Sequence, residues 1–508
     1  MKLSTKSRYG LRALANLIGQ DCCCSVSKIS KEEHISSDYL EKIFVKLKKA
    51  GVLKVERGAA GGYTLSRDPS QITLKEVIDS LEKAEFSCPS ICNCQSKSVY
   101  QQIQSGFSQV LNSITLDHLT DSQNKLTYFD YAASTPIDPQ VLSTMLPYFD
   151  FSYSGNSSSL HQFGLKSAQA IEDSRVIFSK ILNSKPEEII FTASATESNN
   201  TVLKGVAFAN KDKGKHILIS SIEHDCVRES ARWLKTQGFE ITEIPVDKDG
   251  LVDFQFLEKN IRPDTILVSV IHGNNEIGTI QDILKIGKIC HDRGVYFHTD
   301  ASQSFTKVTI DVQKDNIDFL TASSHKIYGP KGVALLYIKS GSNITPLLHG
   351  GGHEFGIRSS TVNTPLVVGF AKAAQIAIDQ MDQENSRLTQ LRDYLIKNIL
   401  KNIPNTHLNG SAKFRLSNNV NISFDKIEGE SLQLSLDLYG IAVSTGSACS
   451  SHSLEPSHVL SAIGQKPEQA HSSIRFSLGR FTTKSQIDYL LKILPGEVSK
   501  LRKLSPFK

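Results

Sequence analysis

From residue 188 to residue 322, short apolar runs alternate with helical stretches, and this alternation constrains the fold most. The runs are EIIFT (188–192), HILIS (216–220), TILVSVIH (265–272), VYFHT (295–299) and DFLTA (318–322). Longer segments such as LHQFGLKSAQAIEDSRVIFSKIL (160–182) read as helices. Strands and helices in alternation predict an α/β fold with a mostly parallel sheet. Ligands of such sheets bind beyond the carboxyl ends of the strands.

The residues just after each run are therefore the informative ones. EIIFT is followed by ASATESNN, small residues that open a helix, where backbone amides and Thr196 suit a phosphate. HILIS is followed by His224, and the run ending at residue 272 by Asn275. VYFHT is followed by Asp300 and Gln303. DFLTA is followed by Ser323, His325 and Lys326 in SSHKIYGPKG (323–332), a lysine confined in a tight turn. Each cluster alone has a structural explanation, but polar clusters at successive strand ends point to one site. Pyridoxal phosphate chemistry needs such a set: a lysine imine, an acid on the ring nitrogen, a helix start for phosphate and a flat group against the ring. A confined lysine amine is also kept reactive.

Before this region the pattern differs. Residues 4–19 and 26–34 read as helices. A third helix follows over SSDYLEKIFVKLKK, capped by Ser36 or Ser37, with Tyr39, Leu40, Ile43, Phe44 and Leu47 on one face. VLKVERGAAGGYTLSR then alternates like a hairpin with a glycine-rich tip. Three helices and a hairpin are the winged helix-turn-helix order, in which the third helix enters the major groove. Thr73 and Glu76 form a capping box for the next helix. Residues 97–114 give a further apolar stripe, a dimer seam or a face packed on its own domain. Residues 1–90 hold 15 Lys and Arg against 11 Asp and Glu, four of the chain's five net positive charges. A polyanion partner or a solvated basic face fits that surplus equally.

The chain's 508 residues suit a two-domain enzyme plus an extra module. The domains are expected at 1–115 (winged helix with dimerisation helix), 116–127 (linker) and 128–508, the last divided into a large domain of about 140–382 and a small domain of about 383–508 plus 128–139. No apolar run approaches the length of about 18 residues that a membrane span needs, and MKLSTKSRYG lacks an apolar signal core, so a cytoplasmic setting is expected. Nine cysteines, unevenly placed, are not a disulfide framework. Cys22, Cys23 and Cys24 read as incidental. Cys88, Cys92 and Cys94 cluster as C-x₃-C-x-C, leaving a metal site, a redox sensor and no function as readings. Cys449 lies in TGSACSSHS, a small polar segment unlike a core.

The first segment resembles the IscR-like winged-helix regulators, through KLSTKSRYGLRAL, SSDYLEKIFVKLKKAGVLKVERGAAGGYTLSRD and LNSITLDHL. The resemblance implies double-stranded DNA as a partner and an iron–sulfur cluster (2Fe–2S) on Cys88, Cys92 and Cys94, although Lys97 stands where the family has its histidine. From Tyr128 onward the chain resembles the IscS/NifS cysteine desulfurases of the class V aminotransferase fold, with large and small domains. The matching motifs are YFDYAASTP, FTASATESNN, VIHGNNEIGTIQDI, HTDASQS, SSHKIYGPKG, HGGGHEFGIRSST, STGSACSSHSLEPSHVL and SSIRFSLGRFT. The resemblance implies that Lys326 carries pyridoxal 5'-phosphate, that Asp300 binds its ring nitrogen, and that Asn275 and Gln303 reach its oxygen side. It implies that His224 stacks on the ring and serves as acid–base, and that Ala195, Thr196, Ser323 and His325 hold the phosphate with Thr361 of a second subunit. Arg475, with Asn275, would bind the substrate L-cysteine. Cys449 would take its sulfur as a persulfide, leaving alanine, and would also offer a ligand to a cluster in transit.

The implied protein is a homodimeric desulfurase fused to a regulator, with an IscU-like scaffold protein as sulfur acceptor. The alternative is a transcription factor whose desulfurase-like half only senses cofactor or cysteine. Retention of Lys326 and Cys449 favours the enzyme, and a transaminase would leave Cys449 without a task. Two departures from the family stand out. Ser324 replaces a glycine before His325, and the chain ends at LSPFK without the longer tail that helps dock the scaffold.

Overall fold

The computed structural model describes residues 4–18, 23–33, 35–56, 61–82, 108, 111–112, 114–116, 126–153, 155–446 and 456–505. Its contacts separate into two units, residues 1–126 and 127–508.

In the first unit, α1 (Thr5–Leu17), α2 (Val26–Glu33), α3 (Ser37–Lys49), β1 (Leu53–Glu56), β2 (Gly62–Leu65) and α4 (Leu74–Leu81) follow in the winged-helix order. Leu40, Ile43, Phe44 and Leu47 of α3 are buried against Ala13 and Leu14 of α1 and Val77 of α4, because their spacing puts them on one face. Ser36 is the residue before α3, but its side chain makes no capping bond. Thr73 and Glu76 do form the capping box, with Thr73 N–H donating to Glu76 Oε2 at 2.9 Å. β1 and β2 pair antiparallel from Leu53↔Leu65 to Glu56↔Gly62. Leu116, at the start of the expected linker, is buried in this core. Most of the helix expected over residues 97–114 lies outside the described residues.

The second unit is built on seven strands: β4 (Ile189–Thr192), β5 (His216–Ser220), β6 (Glu240–Ile244), β7 (Thr265–Ser269), β8 (Tyr296–Asp300), β9 (Phe319–Ser323) and β10 (Ala334–Ile338), in the order β4-β10-β9-β8-β7-β5-β6. β9, β8, β7, β5 and β6 are mutually parallel, and β10 runs antiparallel to β4 and β9. Adjacent residues along a strand face opposite ways. Leu218, Leu320 and Leu335 join one core layer, while Ile217, Phe319 and Leu336 join the other, so helices cover both faces. The apolar run to residue 272 is regular strand only to Ser269, yet His272 N–H still donates to Asp300 O at 3.0 Å.

A second lobe of the same unit carries β11 (Thr406–Leu408), β12 (Asn419–Phe424) and β14 (Ser473–Ser477), an antiparallel sheet. β13 (Ile441–Ala442) pairs with β3 (Thr127–Tyr128). Ile474 and Phe476 enter this lobe's core with Phe129, Val420 and Leu490. Arg475, between them on β14, therefore belongs to the other face.

Candidate active site

Lys326 follows β9 at the end of a single 3-10 turn, Ser324–Lys326. Its Nζ donates to the carbonyl oxygens of Ala132 and Ala133, at 2.5 and 2.8 Å. Ser324 is fully buried, and the turn admits its side chain because residue 329 is glycine. A Cβ on Gly329 would lie 2.1 Å from Ser324 Oγ. The glycine-to-serine departure thus leaves the turn intact.

Asp300 ends β8, the neighbouring strand. Its carboxylate accepts from Asn199 Nδ2 at 2.7 Å and from Ser302 N–H at 2.8 Å, which fixes its orientation. Gln303 Nε2 donates to Ala132 O at 2.8 Å, sharing that carbonyl with Lys326. His224 precedes the helix Asp225–Thr236 and caps it, Nδ1 accepting from Cys226 N–H at 3.2 Å. A backbone amide can only donate, so the capping bond assigns Nδ1 as the acceptor. Ser194 caps the helix Ala195–Ala209, its hydroxyl accepting from Glu197 N–H at 3.1 Å, which presents Ala195 and Thr196 at a helix start. His325 Nδ1 lies 3.3 Å from Ser134 Oγ. Burial, then the charges of Lys326 and Lys331, lowers the His325 pKa to about 4, so its ring is neutral at pH 7.

Arg475 reaches the site from the second lobe. Its guanidinium donates to Asp130 Oδ1 at 2.8 Å and to Asn275 O at 3.0 Å, while its Nε is buried with no partner among the described residues. Ala195, Thr196, His224, Asn275, Asp300, Gln303, Ser323, His325, Lys326 and Arg475 all line one cavity of about 280 Å³. Thr361 is exposed and is not on its wall. Cys449, Cys88, Cys92 and Cys94 lie outside the described residues.

Three further wall residues escaped the sequence reading. Cys226 Sγ lies 3.1 Å from both His224 Nδ1 and Asn199 Nδ2. Glu276 accepts from Ser457 Oγ at 2.6 Å, and burial pushes its pKa up to about 7. Burial lowers the His458 pKa to about 4, and its Nε2 meets Glu223 O at 2.9 Å. Glu276 and Cys226 stand one and two residues from Asn275 and His224, and that adjacency was the available signal.

The donor set fits pyridoxal 5'-phosphate. An amine, a fixed carboxylate and a helix start with hydroxyls line one cavity, and the buried, unpaired Arg475 Nε suits a carboxylate beside them.

Residues 127–490 match the family described as aminotransferase class-V. The chain belongs to that family. Residues 3–122 match the Rrf2 family, described as iron-dependent transcriptional regulator. Cysteine desulfurase IscS of Dictyoglomus turgidum is 50% identical over 381 residues, 75% of this chain and 96% of that protein. Cysteine desulfurase IscS 1 of Archaeoglobus fulgidus is also 50% identical over 381 residues, covering 75% and 99%. Among solved structures, a NifS-like protein superposes with TM-score 0.70 at 36% identity, covering 74% of this chain and 100% of that one. SspA in complex with cysteine gives TM-score 0.63 at 38% identity, covering 70% and 100%. The class V fold and the dependence on pyridoxal 5'-phosphate follow from this membership. Among the described residues no helix is long and apolar enough to cross a membrane.

Proposed function

We propose that the second unit is a pyridoxal 5'-phosphate-dependent cysteine desulfurase and that the first is a DNA-binding regulator fused to it. The observation that carries the enzyme reading is the convergence of Lys326, Asp300, His224 and Arg475 on one cavity. Bound there, the cofactor supplies an electron sink. Lys326 carries it and moves protons at Nζ, and Asp300 keeps the ring nitrogen protonated. His224 would lie against the ring, while Ser323, His325, Thr196 and the amide of Ala195 would receive the phosphate. Arg475 holds the carboxylate of L-cysteine, with Asn275 alongside. The Cys449 thiolate then attacks the substrate sulfur. An S–S bond forms, the C–S bond breaks, and a proton delivered to carbon completes alanine.

A homodimer is part of this reading. Thr361 is exposed and does not line its own cavity, and Phe149, Phe151 and Leu160 are 65%, 75% and 91% exposed, apolar surface that a second copy would cover. A scaffold protein is the proposed sulfur acceptor.

The direct test mixes purified protein with L-cysteine and a reductant and measures sulfide and alanine. No sulfide from cofactor-saturated wild type would end the enzyme reading. Arg475→Ala is expected to lower kcat/KM for L-cysteine by roughly 10- to 150-fold, the worth of about 1.5–3 kcal/mol for hydrogen bonds to a charged group. An unchanged KM in that variant would remove Arg475 from substrate binding.

In the first unit, Lys42, Lys46, Lys48 and Lys49 of α3 are all exposed. Lys6 lies near enough to hold the Lys46 ammonium below its ordinary pKa, which marks a concentration of positive charge suited to phosphates. Cys88, Cys92 and Cys94 are the proposed cluster ligands that report to this surface. Air-excluded protein should contain iron, and Cys92→Ala should lose it and change DNA affinity. Iron-free wild type with DNA binding identical to that of the variant would refute the sensing role.

A further inference from the structure

We infer that the exit of β14, residues 477–481, positions the Lys326 amine from the second lobe, with Arg480 as the residue that ties the two together. The inference rests on Lys326 being the cofactor lysine.

The carbonyl groups it donates to and the backbone turn that follows it both place that amine. Residues 477–481 grip both. Ser477 Oγ accepts from Ala132 N–H at 2.8 Å, which ties down the residue whose carbonyl receives Lys326 Nζ. At Gly479 the chain closes onto Tyr131, the residue before Ala132, and a Cβ there would fall 2.3 Å from the tyrosine ring.

On the other side of the lysine stands Tyr328. It is buried and adopts φ 67°, in the left-handed region that a bulky side chain occupies only where its surroundings force it. Its N–H donates to Thr135 Oγ1 at 2.8 Å and its carbonyl accepts from Asp138 N–H at 2.9 Å. The rest of the restraint comes from the second lobe. Arg480 N–H donates to the Tyr328 hydroxyl, and the Arg480 guanidinium lies 4.3 Å over the Tyr328 ring. The same guanidinium pairs with Asp138 at 2.7 Å and Glu384 at 3.0 Å. Phe481 meets the Tyr328 ring edge-on at 5.8 Å.

Arg480 thus fixes the strained residue two positions beyond Lys326, and it does so five residues along the chain from Arg475. The segment that takes the substrate carboxylate and the segment that aims the amine are one continuous piece of backbone. Arg480 is a positioning residue, since its partners are Tyr328, Asp138 and Glu384.

The test uses full-length protein saturated with pyridoxal 5'-phosphate and the variants Arg480→Met, Arg480→Lys and Tyr328→Phe. Cofactor release on dialysis is followed by visible absorbance, the pH dependence of that absorbance is recorded, and kcat and KM for L-cysteine are separated. Arg480→Met should release cofactor about tenfold faster, move the pH midpoint and lower kcat about tenfold, with KM near wild type because Arg475 keeps its contacts. Arg480→Lys, still able to meet Asp138, should recover most of the loss. Tyr328→Phe, which keeps the ring but not the acceptor, should fall between. A wild-type release rate and pH midpoint in Arg480→Met, or a rise in KM alone, would overturn the inference. If Arg480→Met does not fold, Tyr328→Phe decides, and wild-type release there overturns it. A colourless, inactive wild type would instead refute the function proposed for the unit.

Discussion

Lys326→Ala protein, saturated with pyridoxal 5'-phosphate and treated with borohydride, is expected to remain unlabelled and to make sulfide from L-cysteine at least about 10³-fold more slowly than wild type. Alanine offers neither a covalent anchor nor a movable proton, and the carbonyl groups of Ala132 and Ala133 that now receive the amine cannot replace it. Cys449→Ala should separate the two halves of the task. Lys326, Asp300 and Arg475 are all present in that variant, so cofactor colour and cysteine capture persist, but nothing accepts the sulfur and sulfide falls to background. The measurements are borohydride labelling, visible absorbance, sulfide and alanine. Turnover near wild type in Lys326→Ala, or sulfide production by Cys449→Ala, would each break the division of roles.

The site was legible where chemistry coincides with strand ends. In a parallel sheet the loops after neighbouring strands converge whatever their distance in sequence, so His224, Asn275, Asp300 and Lys326 could be grouped from the runs before them. β6 and β10 were not read. β6 lies at the sheet edge and carries Glu240, Thr242 and Glu243, which break the apolar run. β10 is as apolar as its neighbours but follows SSHKIYGPKG and runs against the parallel set, an orientation that periodicity does not encode. Cys226 and Glu276 were missed because their significance lies in what they touch. A cysteine on a helix and an acid after two asparagines are ordinary until folding sets one against His224 and buries the other beside Ser457. The Tyr328 conformation belongs to the same class, since no residue type announces a strained tyrosine.

Glu354→Ala is expected to cost the second unit about 3 kcal/mol, because it removes the buried partner of Arg175 and leaves that charge only the half-exposed Glu172 and the Ile189 carbonyl. Both side chains are nearly inaccessible, 3% and 2% exposed, and the guanidinium meets the carboxylate through two bonds of 3.0 Å. Burial opposes the charge on Arg175, but Glu354 and then Glu172 outweigh it and raise the pKa above the ordinary arginine value. Glu354 also accepts from Phe191 N–H at 2.7 Å, which ties the segment around residue 354 to β4, just before the helix that starts at Ala195. Glu354 and Phe355 sit at φ 50° and 57°, so the pair also holds a backbone that would otherwise relax. An exposed pair gives the contrast. Lys288–Asp292 is 71% and 54% exposed, and its removal should cost no more than about 0.5 kcal/mol. Because the chain has two units, unfolding of the second is followed by cofactor absorbance rather than by total helix signal. Equal destabilisation by Glu354→Ala and Asp292→Ala would show that burial does not set the value of the pair. A large loss in the first alone, with faster cofactor release, would place Glu354 among the residues that support the phosphate end of the site and the segment leading to Thr361.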